Sequence, residues 1–323
     1  MQETLTPVLT SDFEKDVRKG LTDFPKHLSS KYFYDKKGDK LFQDIMAMPE
    51  YYLTDCEFNI LEQHKEAICS LFSKGNKTFN LIELGAGDGK KTKILLRHLS
   101  ENNINFNYLP IDISQNALDQ LADSIQEELP KVSTKIMQGT YFETLEAISK
   151  LNTDPKVILF LGSNIGNLLH DQAIDFLNDI QDLMTPDDLL FMGFDQKKNP
   201  QTILDAYNDA QGITEAFNKN LLVRMNDELD ADFQVDNFLH WETYDPETGT
   251  AKSFLVSKKE QTVHIDKIDL EVHFNTWETI HTEISQKYDD QIVAWLCENA
   301  GLEILTEFSD AESLYKNYVF RKG

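Results

Sequence analysis

The stretch that decides the fold is residues 79–89, with the sequence FNLIELGAGDG. Its first six residues are mostly apolar and contain no turn signal, which predicts a buried strand. Three glycines at alternate positions follow at once, and a helical pattern comes next. In this context glycines let the backbone approach a nucleotide-like ligand closely at the start of a helix. The stretch therefore predicts the first strand, ligand loop and helix of an α/β domain.

Three further apolar runs, at 108–111, 157–161 and 189–194, have the length and composition of buried strands. Amphipathic stretches lie between them. In the stretch 171–184 apolar residues recur near helical spacing, and a turn beginning Thr185-Pro186 follows. This alternation predicts a parallel sheet covered by helices.

The end of the chain predicts one more helix and two closing strands. Residues 292–299 have a helical pattern, and Gly301 is placed to end that helix. The apolar stretches 302–308 and 318–320 then predict strands that complete the sheet.

A second lobe is indicated by two segments outside the alternating pattern. Residues 195–288 begin as a polar, helix-rich segment and continue with strand-like stretches at 253–256 and 268–274. The first sixty residues are rich in aromatic side chains. A chain of 323 residues also exceeds what one small core usually accommodates. We expect an α/β domain at 61–195 and 287–323 and an α+β lobe at 1–60 and 196–286.

Asp112 ends the predicted second strand, where a carboxylate suits a ribose because it accepts both hydroxyl protons. This favours an adenosine ligand, but NAD and S-adenosylmethionine both contain adenosine, so an oxidoreductase and a methyltransferase remain open. Lys90 and Lys91 oppose the helix macrodipole, which favours a nearby anion such as the methionine carboxylate of S-adenosylmethionine. The alternative is two exposed lysines that reach into water.

Residues 162–167, with the sequence GSNIGN, follow the strand predicted at 157–161. Open α/β sheets bind their ligands at such strand ends, and Asn167 offers a carbonyl oxygen to an amine. The alternative is an ordinary turn before the next helix.

Several different short motifs occur along the chain in this order: YFYD (32–35), LF (41–42), PEYY (49–52), ELGAG (83–87), KT (91–92), FLG (160–162), IGNL (165–168), AYNDA (206–210), GIT (212–214), AFN (216–218), ADF (231–233) and TEIS (282–285). With these motifs the sequence resembles, over nearly its whole length, the histidine-specific methyltransferases of ergothioneine biosynthesis. The resemblance implies a Rossmann-like class I methyltransferase domain with a second, substrate-binding lobe. It also implies that S-adenosylmethionine methylates the α-amino group of L-histidine, giving the trimethylated betaine hercynine.

The resemblance also assigns roles to residues. The implied cofactor contacts are Tyr34, Gly85, Ala86, Gly87, Lys91, Asp112, Tyr141 and Phe142. Tyr51, Asn167 and Tyr207 are implied to hold the amine and carboxylate of histidine, and Tyr51 and Tyr207 are the candidate catalytic residues. Glu283 and Ser285 are implied to recognise the imidazole, and alternate residues of a strand do point the same way. Their alternative is two solvent-facing residues on a strand edge.

Two positions depart from the family pattern. Residues 139–142 are GTYF where the family often has Gly-Asp-Phe, so an acidic contact to the adenine amine is missing or replaced. Ser253 stands where a methionine of the family lines the substrate pocket. These departures put cofactor affinity and substrate fit in question, and they leave tryptophan or histamine open as acceptors. A non-catalytic binding protein with this fold is a further alternative.

Composition excludes several classes of partner. The net charge of −24, from 31 basic and 55 acidic residues, would repel nucleic acid and anionic membranes. Cys56, Cys69 and Cys297 have no disulfide or zinc spacing, and the histidines form no metal motif. No stretch is long and apolar enough to span a bilayer. We expect a cytoplasmic, metal-free monomer.

Overall fold

The computed structural model describes residues 9, 11–74, 77–151 and 154–323. Within them the helices are α1 (Asp12–Thr22), α2 (Lys36–Met46), α3 (Leu53–Phe72), α4 (Thr92–Glu101), α5 (Gln115–Glu128), α6 (Tyr141–Leu151), α7 (His170–Asp182), α8 (Pro200–Tyr207), α9 (Ile213–Leu229) and α10 (Asp290–Asn299). The strands are β1 (Lys26–His27), β2 (Phe79–Leu84), β3 (Phe106–Asp112), β4 (Ser133–Thr134), β5 (Met137–Gln138), β6 (Lys156–Phe160), β7 (Leu189–Asp195), β8 (Phe238–Asp245), β9 (Thr250–Ser257), β10 (Gln261–Ile265), β11 (Leu270–Phe274), β12 (Thr279–Gln286), β13 (Leu302–Ser309) and β14 (Tyr315–Lys322).

The chain divides into two compact units. The smaller unit comprises Met1–Tyr52 and Lys198–Ser285, and the larger unit comprises Leu53–Lys197 and Gln286–Gly323. The boundary expected between residues 60 and 61 falls inside α3, all of which belongs to the larger unit.

The larger unit is built on a sheet with the strand order β13-β14-β7-β6-β2-β3-β4, and β5 also pairs with β3. β4, β5, β3, β2, β6 and β7 are parallel, whereas β14 is antiparallel to both β7 and β13. The chain builds the sheet outward from β2 in one direction and then returns to β6 on the other side of β2. Open α/β sheets bind ligands at such a reversal, outside the carboxyl ends of the strands.

Helices cover both faces of this sheet. Leu81 of β2 packs in a hydrophobic cluster with Ile68 of α3, whereas the next residue, Ile82, packs in a different cluster with Leu177 of α7. Every residue of β2 is buried as a result, which accounts for its nearly continuous apolar sequence. The predicted Rossmann-like α/β fold is confirmed.

The smaller unit contains a four-stranded sheet of order β1-β12-β9-β8 and a separate hairpin of β10 and β11. β1 pairs in parallel with β12, so the N-terminal segment and the later insertion form one sheet. The core joins α9 to this sheet, because Leu222 of α9 lies in one hydrophobic cluster with Phe238 of β8 and Ile280 of β12. The predicted second α+β lobe is confirmed.

Most predicted elements match observed ones to within a few residues. The four apolar runs correspond to β2, β3, β6 and β7, and the two helical stretches correspond to α7 and α10. The prediction of a strand at 268–274 was wrong about where the strand begins. Ile268 ends a single 3-10 turn, and Asp269 adopts a left-handed backbone with φ of 47°. The strand therefore begins at Leu270.

Candidate active site

Gly85 and Gly87, in the glycine loop after β2, differ in the space around them. Gly85 and Gly87 both adopt positive φ angles, 73° and 53°, which residues other than glycine rarely adopt. A Cβ atom on Gly85 would lie 2.7 Å from the hydroxyl oxygen of Tyr141, whereas one on Gly87 would meet no atom within 4 Å. Ala86 between them is buried. The loop therefore packs against Tyr141 at one end and exposes its backbone at Gly87.

Asp112 lies at the carboxyl end of β3, beside this loop. Its Oδ1 accepts a hydrogen bond of 2.9 Å from the Ser114 amide, and its carbonyl oxygen accepts one of 3.1 Å from the Gly139 amide. Burial, and to a smaller extent the Asp112 charge, raise the pKa of Tyr141 to about 12, so its phenol stays protonated at neutral pH. The structure thus brings Gly85, Tyr141 and Asp112 together within the larger unit.

The 139–142 segment leads from this region into α6. Phe142 packs edge-on against Phe176, with ring centroids 5.3 Å apart. The Thr140 hydroxyl donates a 2.6 Å hydrogen bond to Glu143 Oε2. A carboxylate is therefore present in the first turn of α6, although the acidic residue expected before it is absent.

Lys91 is not an exposed lysine reaching into water. Its Nζ lies 2.5 Å from Oε2 of Glu57, a buried carboxylate on α3. Lys90 differs, because its side chain passes over the Phe58 ring with Nζ 5.8 Å from the centroid. Lys91 therefore has an anionic partner within the protein, Glu57.

Asn167 belongs to the turn after β6. Gly162 and Ser163 both have positive φ angles, and a single 3-10 turn from Asn164 to Asn167 follows before α7. Asn167 is exposed and lies in the larger unit.

The other four predicted acceptor-binding residues lie in the smaller unit. The hydroxyl oxygens of Tyr207 and Ser285 are 2.7 Å apart and share a hydrogen bond. The Tyr51 ring meets the Tyr207 ring nearly edge-on, with centroids 6.3 Å apart. Glu283 lies two residues before Ser285 on β12, and both are half-buried. The structure therefore brings together Tyr51, Tyr207 and Ser285, the first and last of which lie more than 200 residues apart in the sequence.

Tyr34 also belongs to the smaller unit, unlike the other predicted cofactor residues. Its ring packs edge-on against Phe42, at 5.4 Å, and against Phe217, at 5.8 Å. These contacts fix the ring while leaving the residue 45 % exposed.

His240 supports Tyr207 and was missed by sequence reasoning. Its Nε2 donates a 2.9 Å hydrogen bond to the Tyr207 carbonyl oxygen, and its Nδ1 accepts one of 2.8 Å from Asn218 Nδ2. Burial lowers the pKa of His240, which favours the neutral ring that this bonding pattern requires. The sequence signal for a buried His240 was its position on β8, a strand in which alternate residues are buried.

Glu57 was also missed, although the sequence contains a signal for it. Leu53, Ile60 and Leu61 form part of the buried stripe of α3, and Glu57 occupies the i+4 position of that stripe. A carboxylate on a core-facing stripe needs partners, since an unpaired buried charge is costly.

Ser253 makes one side-chain contact that a methionine could not and one backbone contact. Its hydroxyl donates a 2.7 Å hydrogen bond to Oε2 of Glu242, its cross-strand neighbour on β8. Its carbonyl oxygen accepts a 3.0 Å hydrogen bond from Thr282 Oγ1. Ser253 thus links β9 to both neighbouring strands.

The described residues lack two features. They contain no group of three or more His, Cys, Asp or Glu side chains arranged to hold a metal ion. No helix among them is both long and apolar enough to cross a membrane. Cys56, Cys69 and Cys297 are all buried free thiols.

Comparison with known proteins identifies the family. Residues 13–322 match the family model described as histidine-specific, SAM-dependent methyltransferase. The histidine N-alpha-methyltransferase of Mycolicibacterium smegmatis is 36% identical, over 89% of this chain and 88% of that protein. The protein of the same name from Mycobacterium tuberculosis is 34% identical, over 92% and 90%. Ergothioneine biosynthesis protein 1 of Schizosaccharomyces pombe is 27% identical, over 91% of this chain and 39% of that protein. This chain belongs to the family of histidine-specific, S-adenosylmethionine-dependent methyltransferases.

Proposed function

We propose that this protein transfers methyl groups from S-adenosylmethionine to the α-amino nitrogen of L-histidine and adds three, producing hercynine for ergothioneine biosynthesis. The observation that carries the proposal beyond family membership is the 2.7 Å hydrogen bond between Tyr207 and Ser285. It joins a residue assigned to the amine and carboxylate of the substrate to one assigned to its imidazole. The names of the two mycobacterial relatives support the same acceptor.

The residues of the larger unit fit the cofactor. The open backbone at Gly87 gives room for a ligand next to the strand end, and the Asp112 carboxylate suits a ribose diol. Lys91 supplies an ammonium group for the methionine carboxylate. When bound, S-adenosylmethionine supplies a methyl group on a positively charged sulfur.

Positioning of the amine is the main catalytic task in this reaction. With S-adenosylmethionine held by the glycine loop, Asp112 and Lys91, the amine nitrogen would have to be held in line with the methyl group that the cofactor would supply. We assign Tyr51, Asn167 and Tyr207 to holding the amine and carboxylate. The Tyr207 hydroxyl is oriented by Ser285, and its backbone by His240.

The α-amine must lose a proton before each transfer, because an ammonium nitrogen has no lone pair. Removal from water lowers the pKa of the ammonium group, and we assign the relay of its proton to the hydroxyl of Tyr51 or Tyr207. Phenol and amide oxygens accept hydrogen bonds from the free amine. They also tolerate methyl groups already added, which permits repeated transfer.

The Glu283 carboxylate and the Ser285 hydroxyl are assigned to the imidazole. A site built to hydrogen-bond polar groups discriminates strongly against ligands that lack them. This pair therefore favours histidine over tryptophan, the other amino-acid acceptor that the sequence left open.

The test is a single reaction that offers every acceptor at once. The protein is incubated with S-adenosylmethionine, the twenty amino acids in equal amounts and histamine, and products are detected by mass spectrometry. We expect histidine alone to gain methyl groups, up to three. Methylation of another amine would contradict the acceptor assignment, and accumulation of monomethylhistidine alone under excess cofactor would contradict repeated transfer.

Matched variants connect this reaction to the site. Ser285→Ala removes the hydroxyl that holds Tyr207, and we expect kcat/KM for histidine to fall about 3-fold to 10-fold, the effect of one neutral hydrogen bond. Thr243→Ala changes an exposed residue of β8 in the same sheet and serves as the control. Equal activity of the two variants would argue against the assigned role of Ser285.

We further propose that the protein acts as a monomer in the cytoplasm, without nucleic acid or membrane partners. The net charge of −24 supports the absence of nucleic-acid and membrane partners because it disfavours contact with phosphate backbones and anionic lipids. The three buried free thiols support a reducing compartment.

A further inference from the structure

Glu57 of α3 carries a fully buried carboxylate with three hydrogen-bond donors. Lys91 Nζ lies 2.5 Å from Oε2, and the Gly162 amide donates to the same oxygen at 2.8 Å. Asn317 Nδ2 donates to Oε1 at 2.8 Å. Hydrogen bonds to a charged group are among the stronger ones in proteins, so these contacts hold three separate segments on one side chain.

The three donors show where this carboxylate acts. Lys91 follows the glycine loop after β2, and Gly162 follows β6. β2 and β6 are neighbouring strands at the reversal of strand order. Glu57 thus bridges both sides of the crevice in which this type of sheet binds its ligand.

The neighbouring strand leaves space for this carboxylate. An ideal Cβ atom on Gly193 of β7 would lie 2.3 Å from Glu57 Oε1 and 2.2 Å from the Tyr315 hydroxyl oxygen. Any side chain at position 193 would displace one of these groups. A glycine weakens the interior of a strand, and the position of Glu57 explains why a glycine is present at residue 193.

We propose that Glu57 is a positioning residue that holds the Lys91 ammonium in the orientation needed to bind the carboxylate of the cofactor. The inference rests on the proposed function, in which Lys91 contacts the amino-acid end of S-adenosylmethionine. Without Glu57, the flexible lysine side chain would have to be ordered by the ligand itself, at a cost in affinity. Glu57 therefore acts through Lys91 and does not touch the cofactor.

The test compares two ligands that differ only at the amino-acid end. S-adenosylhomocysteine carries the carboxylate, whereas 5′-methylthioadenosine lacks the whole amino-acid group. The variant Glu57→Gln keeps the shape of the side chain, and Asn317 can rotate its amide to accept from the new NH₂ group. We expect the Kd for S-adenosylhomocysteine to rise about 10-fold to 100-fold, as for loss of a hydrogen bond to a charged group, and the Kd for methylthioadenosine to stay unchanged.

Controls separate positioning from general damage. Glu62→Gln alters a part-exposed carboxylate of the same helix, paired with Lys65, and should change neither Kd. Lys91→Met should show the same ligand selectivity as Glu57→Gln, and the double variant should be no weaker than Lys91→Met alone, because Glu57 acts through that lysine. If Glu57→Gln does not fold, Asn317→Ala, which removes one donor, should give a smaller loss with the same selectivity.

The outcomes distinguish this inference from the proposed function. Failure of the unaltered protein to bind S-adenosylhomocysteine would count against the proposed function. Binding by the unaltered protein, with equal losses for the two ligands or with additive effects of Glu57→Gln and Lys91→Met, would overturn the positioning role alone.

Discussion

Single side chains link the glycine loop to the sheet beneath it, and Glu83 is the clearest case. This residue lies near the end of β2, and its carboxyl group accepts hydrogen bonds from the hydroxyl groups of Thr92 and Tyr108. Burial raises the pKa of Glu83 to about 7, although both hydroxyl groups and Lys91 oppose the rise. Glu83 therefore changes protonation near neutral pH at the base of the glycine loop.

This shift predicts a pH-dependent effect of Glu83→Gln. A raised pKa means that the folded protein binds the proton more tightly than the unfolded chain, so Glu83 stabilises the fold at low pH. That contribution is lost as pH rises from about 4.5 to about 7. The free energy of unfolding of the variant, relative to the unaltered protein, should therefore increase by about 3 kcal/mol between pH 4.5 and pH 8.

Urea unfolding across this pH range measures the difference. Glu101→Gln, at the exposed end of α4, is the control and should give a nearly constant difference. A constant difference for Glu83→Gln as well would show that Glu83 has the same pKa in the folded and unfolded states.

From spacing alone, the sequence indicates only residues whose role is local, whereas the acceptor-binding residues were named through the family resemblance. Gly85, Lys91 and Asp112 could be named because each stands next to a strand end that the sequence reveals. The contacts of Glu57 could not be predicted, because its partners Lys91, Gly162 and Asn317 lie 34, 105 and 260 residues away. Only the folded sheet shows that these groups converge.

Among the elements, α9 has an unusual start. The residue directly before it is Gly212, which has no side chain to cap the helix. Asp209 takes this role from one turn earlier, because its carboxylate accepts from the Ile213 and Thr214 amides at 3.0 and 2.8 Å. Burial alone would raise the pKa of Asp209, but hydrogen bonds from these amides, the Thr214 hydroxyl and the Gln211 amide together outweigh it and lower the pKa below its ordinary value.

The cap predicts the cost of Asp209→Ala. Two helix amides would lose their acceptor, so the free energy of unfolding should fall by about 1–2 kcal/mol at neutral pH. Because the folded-state pKa is lowered, the contribution is present above the ordinary pKa of 3.8 and is lost as pH falls through the folded value. The loss measured by urea unfolding should therefore shrink in strong acid.

Two further variants check that the cap is responsible. Asp209→Asn keeps one acceptor oxygen and should lose less stability than Asp209→Ala. Asp205→Ala, an exposed residue of the neighbouring α8, should have little effect. Equal losses for Asp205→Ala and Asp209→Ala would exclude a capping role.

Elements were predictable where their apolar pattern is strong. The buried strands β2, β6 and β7 have long apolar runs, so they were recognised almost to the residue. The start of β11 was misjudged because Ile268 and Asp269 continue the strand-like pattern. The left-handed backbone at Asp269 breaks the strand, and nothing in its neighbours' composition indicates that.

At the scale of the whole molecule, the sequence predicted two units, each built from two segments of the chain, from a change of periodicity along it. The sequence could not reveal that β1 joins β12, a pairing across more than 250 residues. Such pairings depend on the complete fold, because two residues of strand carry too little pattern of their own.

Ligand protection gives a prediction at this scale. A ligand that binds only the folded protein raises its free energy of unfolding, by about 2.7 kcal/mol at one hundred times its Kd. We expect S-adenosylhomocysteine to raise the Tm and NAD to leave it unchanged in differential scanning fluorimetry. Lys91→Met should reduce the shift at the same ligand concentration. Equal protection by NAD would indicate a nucleotide site that does not select for the methionine moiety.

The order of strands also has a consequence for synthesis of the chain. β7 is complete once Asp195 has been made, but the strand that covers its edge, β14, begins only at Tyr315. At ribosomal rates of about 5–20 residues per second, this interval lasts roughly 6–24 seconds. During that time a nascent chain exposes an unpaired, apolar strand edge of the kind that promotes aggregation. This edge stays uncovered until β14 has been synthesised and can pair with β7.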